Sequence, residues 1–390
     1  MSSIDDKIVN SIKGLSIDMI HLANSGHPGI ALGATNIIYT LYSRHLKISL
    51  DDYMWMNRDR FVMSAGHGSA LLYSVLFYSG YLSLDNLKRY RQINSLTPGH
   101  PENIVTPGVD TTTGPLGQGL ANAVGMAISE KYLSKKYGEN AFDYYTYVLC
   151  SDGDLMEGVS YEALSLAGTL KLGKLIVLYD SNNISLDGNT NLTFNEDIKA
   201  RFESMGWNYL KVLEGNSIED IDNAIIRAKS IKNKPTLIEI KTIIGKDSLK
   251  QNTNLVHGSP LTEEDINQLK LRLELPNKIF NVDNSLLTGF QNNIRNRCDK
   301  EYENWLNNNE DIEEELSASF DLIKSIRDYS IFENESLRDI NGKVMNIISD
   351  NIDSFIGGCA DLSSSTKCFL NNKGVFSPIN YSGRIIYYGV

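Results

Sequence analysis

Residues 144–158 read Tyr-Tyr-Thr-Tyr-Val-Leu-Cys-Ser-Asp-Gly-Asp-Leu-Met-Glu-Gly. The run 144–150 is rich in aromatic and β-branched residues, which predicts a strand. An Asp-Gly pair then ends the run, and the apolar spacing over residues 155–170 predicts a helix. Because the strand has few polar residues on either face, it is typical of a parallel sheet that is covered on both sides.

The same alternation of strand and helix continues on both sides of this stretch. Further strands are predicted at residues 61–63, 175–179, 207–212 and 236–240. Helical spacing of apolar residues recurs at residues 8–23, 120–137 and 217–230. The pattern predicts an α/β fold with a doubly wound parallel sheet over roughly the first 240 residues.

Polar residues follow two of the predicted strands at the point where each strand ends. Asp152 comes just after the strand at 144–150, and Asn182 follows the strand at 175–179. Both residues are therefore expected at the carboxyl edge of the sheet, where ligands bind. Carboxylate, amide and carbonyl oxygens suit Mg²⁺ or Ca²⁺ that bridges phosphates. The motifs G-x-x-x-x-G-K-[ST] and strand-anchored G-x-G-x-x-G are absent from the sequence, which argues against ATP and NAD.

Four of the six histidines lie in loops flanked by glycine or proline, namely His27, His67, His100 and His257. An imidazole acts as acid, base or hydrogen-bond donor near neutral pH. Loops held by a rigid scaffold are the usual place for such groups. Together with the Asp/Asn pair, these histidines predict one polar active site.

Composition excludes several classes of protein. The net charge of −11 argues against a nucleic-acid partner, because phosphate backbones require basic patches. No apolar run approaches the roughly 20 residues of a membrane span, and the N-terminus lacks the pattern of a signal peptide. The four cysteines have no zinc-binding spacing. We therefore expect a cytoplasmic protein without a membrane partner.

The sequence changes character after residue 262. A polar helix is predicted at 262–275, and the acidic run 298–315 favours a solvated helix and linker over a metal or docking segment. A new unit is expected after residue 330, with a helix at 334–349 and short strands at 355–358 and 385–390. This unit is too small to close a sheet, so we expect a second α/β domain that is incomplete in this sequence.

An ordered set of short stretches resembles the transketolase family. The stretches are 24–29 (NSGHPG), 64–68 (SAGHG), 97–102 (TPGHPE), 112–119 (TTGPLGQG), 157–158 with 162–163 (EG and EA), 257–261 (HGSPL), 357–362 (GGCADL) and 380–384 (NYSGR). The resemblance implies a thiamine-diphosphate-binding fold. It places a diphosphate-binding domain at 1–315, with a linker from about 262, and an incomplete pyrimidine-binding domain at 330–390, the family's third domain being absent.

The resemblance also implies a cofactor site. Asp152, Asn182 and the carbonyl of Ile184 would hold Mg²⁺ or Ca²⁺. Further residues would contact thiamine diphosphate, and these are His67, Gly114, Leu116, Gly153, Asn182, His257 and, from a partner subunit, Asp361.

Sugar phosphates are the substrates that the resemblance implies, in a homodimer. His27, His100 and His257 would be catalytic and would contact the substrate, and Arg338 with Ser365 would also bind it. Two further residues would lie at the dimer interface, Glu157 and Glu162.

The implied reaction transfers a two-carbon ketol unit from a ketose phosphate to an aldose phosphate. The family continues beyond a segment like 382–390 with an Arg-Glu-His-Ala sequence whose glutamate activates the cofactor, so we expect this chain alone to be inactive. Two other interpretations stay open: a relative such as dihydroxyacetone synthase or deoxyxylulose-phosphate synthase, and a non-catalytic diphosphate-binding fragment.

Overall fold

A five-stranded parallel sheet lies at the centre of the first of two compact units. The computed structural model describes residues 3–325 and 335–390. The first unit contains the described residues up to 128 together with 144–300, and the second contains 129–143 with the described residues from 301 onward.

The sheet has the order β1-β2-β3-β5-β4, and every neighbouring pair of strands is parallel. The strands are β1 (Arg60–Met63), β2 (Thr146–Ser151), β3 (Leu175–Ser181), β4 (Asn208–Val212) and β5 (Thr236–Lys241). All of β3 is buried, as are all residues of β2 and β5 except their last. The predicted α/β parallel sheet is confirmed.

Helices connect these strands, and several of them begin at a side-chain cap. Helix α1 (Ile4–Ala23) starts at a capping box between Ser3 and Asp6, which satisfies free N–H groups of its first turn. The other helices of this part of the chain are α2 (Pro28–Gly33), α3 (Thr35–Thr40), α4 (Ser69–Tyr78), α5 (Leu84–Lys88), α6 (Gln118–Tyr137), α7 (Asp152–Met156), α8 (Gly158–Thr169), α9 (Ile198–Ser204), α10 (Ile218–Ser230) and α11 (Glu263–Arg272).

The segment after β2 differs from the single helix predicted at 155–170. Helix α7 begins at Asp152, immediately after the strand, and the backbone is extended at Glu157 before α8 begins. Ser160 donates a hydrogen bond from its hydroxyl to the carbonyl of Asp154, which fixes the join between the two short helices. The consequence is that Asp152 lies at a helix N-terminus at the edge of the sheet.

The second unit contains a short parallel strand pair. Its elements are the C-terminal part of α12 (Asn284–Ser325), then α13 (Leu337–Asn351), β6 (Gly357–Cys359), α14 (Ser363–Thr366) and β7 (Ile385–Tyr387). Strand β6 pairs with β7, and the Arg384 guanidinium donates hydrogen bonds to the carbonyls of Ser349 and Ile352 at 2.8 and 2.7 Å.

The acidic run 298–315 is helical, as expected, but it is not solvated throughout. It lies within α12, where Trp305 is buried and its indole N–H donates to the carbonyl of Ala141 at 2.6 Å. Asn309 interrupts the helix with a φ of −136°. The predicted domain boundary at 315 stays a prediction, and the boundary at 330 lies outside the described residues.

Within residues 3–325 and 335–390, every helix is too short or too polar to cross a membrane.

Candidate active site

The ends of β2 and β3 bring Asp152 and Asn182 to one edge of the sheet. Ser151 pairs with Asp180 in the sheet register, so each candidate ligand stands at most two residues beyond a paired position. One carboxylate oxygen of Asp152 accepts a hydrogen bond from the Tyr179 hydroxyl. The other, Oδ2, is buried and has no hydrogen-bond partner among the described residues.

Asn182 is held in place on both sides of its amide. Its Oδ1 accepts a hydrogen bond from the backbone N–H of Ile184 at 3.0 Å, and its Nδ2 donates to Asp180 at 3.1 Å. Burial raises the pKa of Asp180 to about 6 and also raises the pKa of Asp152, because the charged carboxylate loses its hydration. A cation at this edge would stabilise the charged carboxylates in place of the hydration that burial removes.

The donor set at this edge fits a hard divalent cation. Asp152 offers an oxygen that is otherwise unsatisfied. The amide oxygen of Asn182 and the carbonyl oxygen of Ile184 lie together on the turn that follows β3. No group of three or more His, Cys, Asp or Glu side chains that could hold a metal occurs in the described part of the chain. A site here would therefore combine few carboxylates with amide and carbonyl oxygens, of the kind that keeps a cation bound mainly when it also bridges phosphates.

Three of the predicted histidines converge from separate loops. The ring centroids of His27 and His67 are 5.1 Å apart, those of His67 and His257 are 5.3 Å apart, and those of His27 and His257 are 6.0 Å apart. The Nδ1 atoms of His27 and His257 are buried and find no hydrogen-bond partner within the described ranges. These nitrogens are available to a ligand that enters between the loops.

Burial keeps these imidazoles uncharged at neutral pH. Burial, reinforced by the neighbouring histidines, lowers the pKa of His67 to about 3. Burial together with the charges of His257 and Arg91 lowers the pKa of His27 to about 4, and burial also lowers the pKa of His257. A neutral imidazole carries one donor and one acceptor nitrogen, so each ring can both give and accept a hydrogen bond.

The fourth histidine, His100, lies beside Gly114. The φ of Gly114 is 152°, and a Cβ added there would lie 3.4 Å from the His100 ring. Arg91 donates to the Ser25 hydroxyl at 3.0 Å, which ties the loop of His27 to this region. Burial and the charge of Arg91 lower the pKa of His100. Arg91 was not a candidate from the sequence, since nothing in its local sequence marks it.

One cavity of about 360 Å³ joins the sheet edge to the histidine cluster. Leu116 projects against Gly153, where an added Cβ would meet its Cδ1 at 2.9 Å. Nine of the predicted site residues line the cavity, and these are His27, His67, Gly114, Leu116, Asp152, Gly153, Asn182, Ile184 and His257. The structure thus brings together residues that are far apart in sequence.

Asp154 is a site residue that the sequence reasoning missed. Its carboxylate is fully buried and accepts hydrogen bonds from the Ser64 hydroxyl at 2.7 Å and from the N–H of Gly117 at 2.9 Å. It also accepts from the N–H and hydroxyl of Ser151 at 2.9 and 3.0 Å. Asp154 therefore ties the loop before His67, the loop after Leu116 and the end of β2 together. In the sequence, only its position two residues after Asp152 could have indicated this role for Asp154.

The remaining candidates lie on the surface. Glu157 and Glu162 are exposed at the start of α8 and within it. In the second unit, Arg338 is exposed in the first turn of α13, Ser365 is exposed in α14, and Asp361 is exposed with a φ of 57°. Their predicted roles in dimer contacts and in substrate and cofactor binding stay predictions.

Comparison with known proteins gives one family match over most of the chain. Residues 4–327 match the family described as "Transketolase, thiamine diphosphate binding domain". A transketolase of Staphylococcus aureus is 47% identical over 99% of this chain and 61% of its own length. A transketolase of Bacillus subtilis is 45% identical over 100% of this chain and 61% of its own length.

Solved structures give the same result. The chain superimposes with a TM-score of 0.92 and 38% identity on a transketolase from Pichia stipitis in complex with sedoheptulose 7-phosphate. A transketolase from Campylobacter jejuni gives a TM-score of 0.92 with 42% identity. In both cases all of this chain and 61% of the other chain are covered. The chain thus spans about three fifths of the length of these relatives.

Proposed function

Because the chain belongs to the transketolase family through its thiamine diphosphate binding domain, we propose that it serves the transfer of a two-carbon ketol unit from a ketose phosphate to an aldose phosphate. The cofactor, when bound, supplies the electron sink that this carbon–carbon chemistry needs. The protein supplies binding, orientation and proton positions. The observation that carries the proposal is the cavity that Asp152 lines together with His27, His67 and His257.

The cation and diphosphate would bind at the sheet edge. Asp152, Asn182 and the carbonyl of Ile184 would hold Mg²⁺ or Ca²⁺, which the raised pKa of Asp152 favours because a cation stabilises the charged carboxylate. Gly153 would let a phosphate approach the backbone at the start of α7. His67 and His257 would donate hydrogen bonds to phosphate oxygens, and Gly114 with Leu116 would line the cofactor.

Three of the histidines would bind the substrate. His27, His100 and His257 would hold hydroxyl groups of the sugar and pass protons to and from them, as neutral imidazoles can. Arg338 would bind the phosphate of the sugar as a cation, and Ser365 would donate a hydrogen bond to it.

The proposal includes a homodimer in the cytoplasm. Glu157 and Glu162 would lie at the interface, and their exposure leaves them accessible to a second copy. Asp361 would approach the cofactor bound by the partner subunit.

Calorimetric titration of thiamine diphosphate with Mg²⁺ into the 390-residue chain tests the binding part of the proposal. Saturable binding is expected, and Asp152→Ala should weaken it by at least about tenfold, since a buried cation ligand is lost. The matched control is Asp85→Ala, which removes an exposed carboxylate of α5 and should leave the affinity unchanged. Equal affinity for the Asp152→Ala and Asp85→Ala proteins would contradict the cation site.

A ketol-transfer assay on the same samples tests the reaction. Turnover that depends on Asp152 supports the transferase proposal. Binding without turnover is the result expected for this chain alone, and it also fits the interpretation as a non-catalytic diphosphate-binding fragment.

A further inference from the structure

Two cysteines of the second unit face one threonine hydroxyl. Cys359 ends β6 and Cys368 follows α14, and both side chains are free and partly exposed. The Thr366 Oγ1 lies 3.5 Å from the Cys359 Sγ and 3.1 Å from the Cys368 Sγ. Both sulfur atoms therefore lie within 3.5 Å of the same oxygen atom.

The surroundings favour Cys359 as the more reactive sulfur. The backbone N–H of Leu362 donates to its Sγ at 3.2 Å. The Thr366 hydroxyl has one proton, which it donates to the Leu362 carbonyl at 2.9 Å or, after rotation, to a thiolate. Hydrogen bonds from Thr366, from the N–H of Leu362 and from Cys368 lower the pKa of Cys359, against the opposing charge of Asp361.

The other two cysteines are buried, unlike Cys359 and Cys368. Cys150 is buried in β2, and burial raises the pKa of its thiol well above the usual range. Cys298 is buried in α12. Because thiolate character and access govern oxidation, the two exposed cysteines should react and the two buried ones should not.

We propose that Cys359 and Cys368 form a reversible disulfide in response to hydrogen peroxide. The Cys359 thiolate attacks one peroxide oxygen, the O–O bond breaks, and one water leaves with the sulfenic acid formed on Cys359. The Cys368 thiolate then attacks that sulfur, the S–O bond breaks, and a second water leaves. In total, two thiols and one hydrogen peroxide give one disulfide and two waters, and a dithiol reductant reverses the change.

The bond would close a loop that carries predicted site residues. Asp361, α14 and Ser365 all lie between the two cysteines, and most of this loop is exposed. The disulfide would hold this loop in one conformation. Any effect on sugar-phosphate binding rests on the proposed function, whereas the bond itself does not.

Peptide mapping tests the pairing without reference to catalysis. The reduced chain is treated with hydrogen peroxide, quenched, alkylated after denaturation and digested with trypsin. Cleavage after Lys343, Lys367 and Lys373 separates the cysteines into peptides 344–367 and 368–373. We expect these two peptides joined by a disulfide that dithiothreitol releases, and a fall in free thiols from four per chain to two.

Three variants assign the roles. Cys368→Ser should abolish the linked peptides and leave a sulfenic acid on Cys359 that dimedone traps, and Cys359→Ser should abolish both products. The matched control is Cys298→Ser, in which the serine hydroxyl can replace the thiol that faces the Leu46 carbonyl. This control should lose one thiol and still form the linked peptides.

Four free thiols after peroxide treatment would overturn the proposal. So would a disulfide between two copies of the chain, a bond to Cys150 or Cys298, or a dimedone adduct on Cys368 in place of Cys359.

Discussion

At the sheet edge of the first unit, Asp152, Asp154 and Asn182 are buried, whereas Arg338 and Ser365 of the second unit are exposed. Asp154 and Asn182 have hydrogen-bond partners. The Oδ2 atom of Asp152 has none among the described residues. The exposed residues are in contact with solvent, so their polar groups need no partner within the protein. Burial makes a polar side chain costly unless it is paired, so the unpaired Asp152 oxygen is itself a reason to propose a ligand at the sheet edge. On the surface, only the family resemblance indicates one.

Removal of Asp154 should give the largest effect on stability. Asp154→Ala deletes the acceptor of the Ser64, Gly117 and Ser151 hydrogen bonds and leaves buried donors unpaired. We expect the free energy of unfolding to fall by about 3 kcal/mol or more, since hydrogen bonds to a charged group are strong. Urea denaturation measures this.

Asp154→Asn should recover only part of that loss, because the amide presents N–H groups to donors. Asp85→Ala removes an exposed carboxylate, serves as the control and should leave the unfolding free energy almost unchanged. Equal losses in Asp154→Ala and Asp85→Ala would remove the distinction between the two kinds of position.

Lowering the pH should reduce the free energy of unfolding by an intermediate amount, through protonation of His67. The unfolded imidazole binds a proton below about pH 6.5, whereas the folded one does so only near its pKa of about 3. The contribution of the neutral His67 ring to the free energy of unfolding is therefore fully present above pH 6.5. It is lost as the pH falls toward 3. Between pH 7 and 5 the wild type should lose on the order of 1–2 kcal/mol more than His67→Gln.

Urea denaturation of both proteins at the two pH values checks this. The buried carboxyls, whose pKa values are raised, act in the opposite direction, but they are common to both proteins and cancel in the difference. Parallel pH profiles for the wild type and His67→Gln would show that the ring titrates normally in the folded state.

The smallest effect on stability is expected in the second unit. Arg338→Gln removes an exposed cation from the first turn of α13 and should change the unfolding free energy by less than about 0.5 kcal/mol. Thiamine diphosphate affinity should stay at the wild-type value, while affinity for a sugar phosphate should fall. Calorimetry with each ligand separates the two, and a loss of cofactor affinity would contradict the assignment of Arg338 to the substrate.

Much of the first unit was predictable because its signals are local. Apolar runs predict β2 and β3, and the carboxyl-edge rule for parallel strands predicts that Asp152 and Asn182 lie at the same edge of the sheet, as the register of β2 with β3 places them. The loops of His27, His67, His100 and His257 were expected to form one polar site. The rings of His27, His67 and His257 lie 5.1 to 6.0 Å apart, whereas His100 lies beside Gly114.

The features that were missed depend on long-range contacts. The partners of Asp154 come from Ser64 and Gly117, and no periodicity connects these positions. The burial of Trp305 within an acidic run depends on Ala141, which is distant in sequence. In each case tertiary structure decided what local composition left open.

The register that sets Ser151 opposite Asp180 also determines what sets the distance between the two candidate ligands. The spacing between Asp152 and Asn182 depends on backbone hydrogen bonds between β2 and β3, and not on the length of the polypeptide that joins them. The position of the two side chains is thus a property of the sheet and not of the connection between its strands.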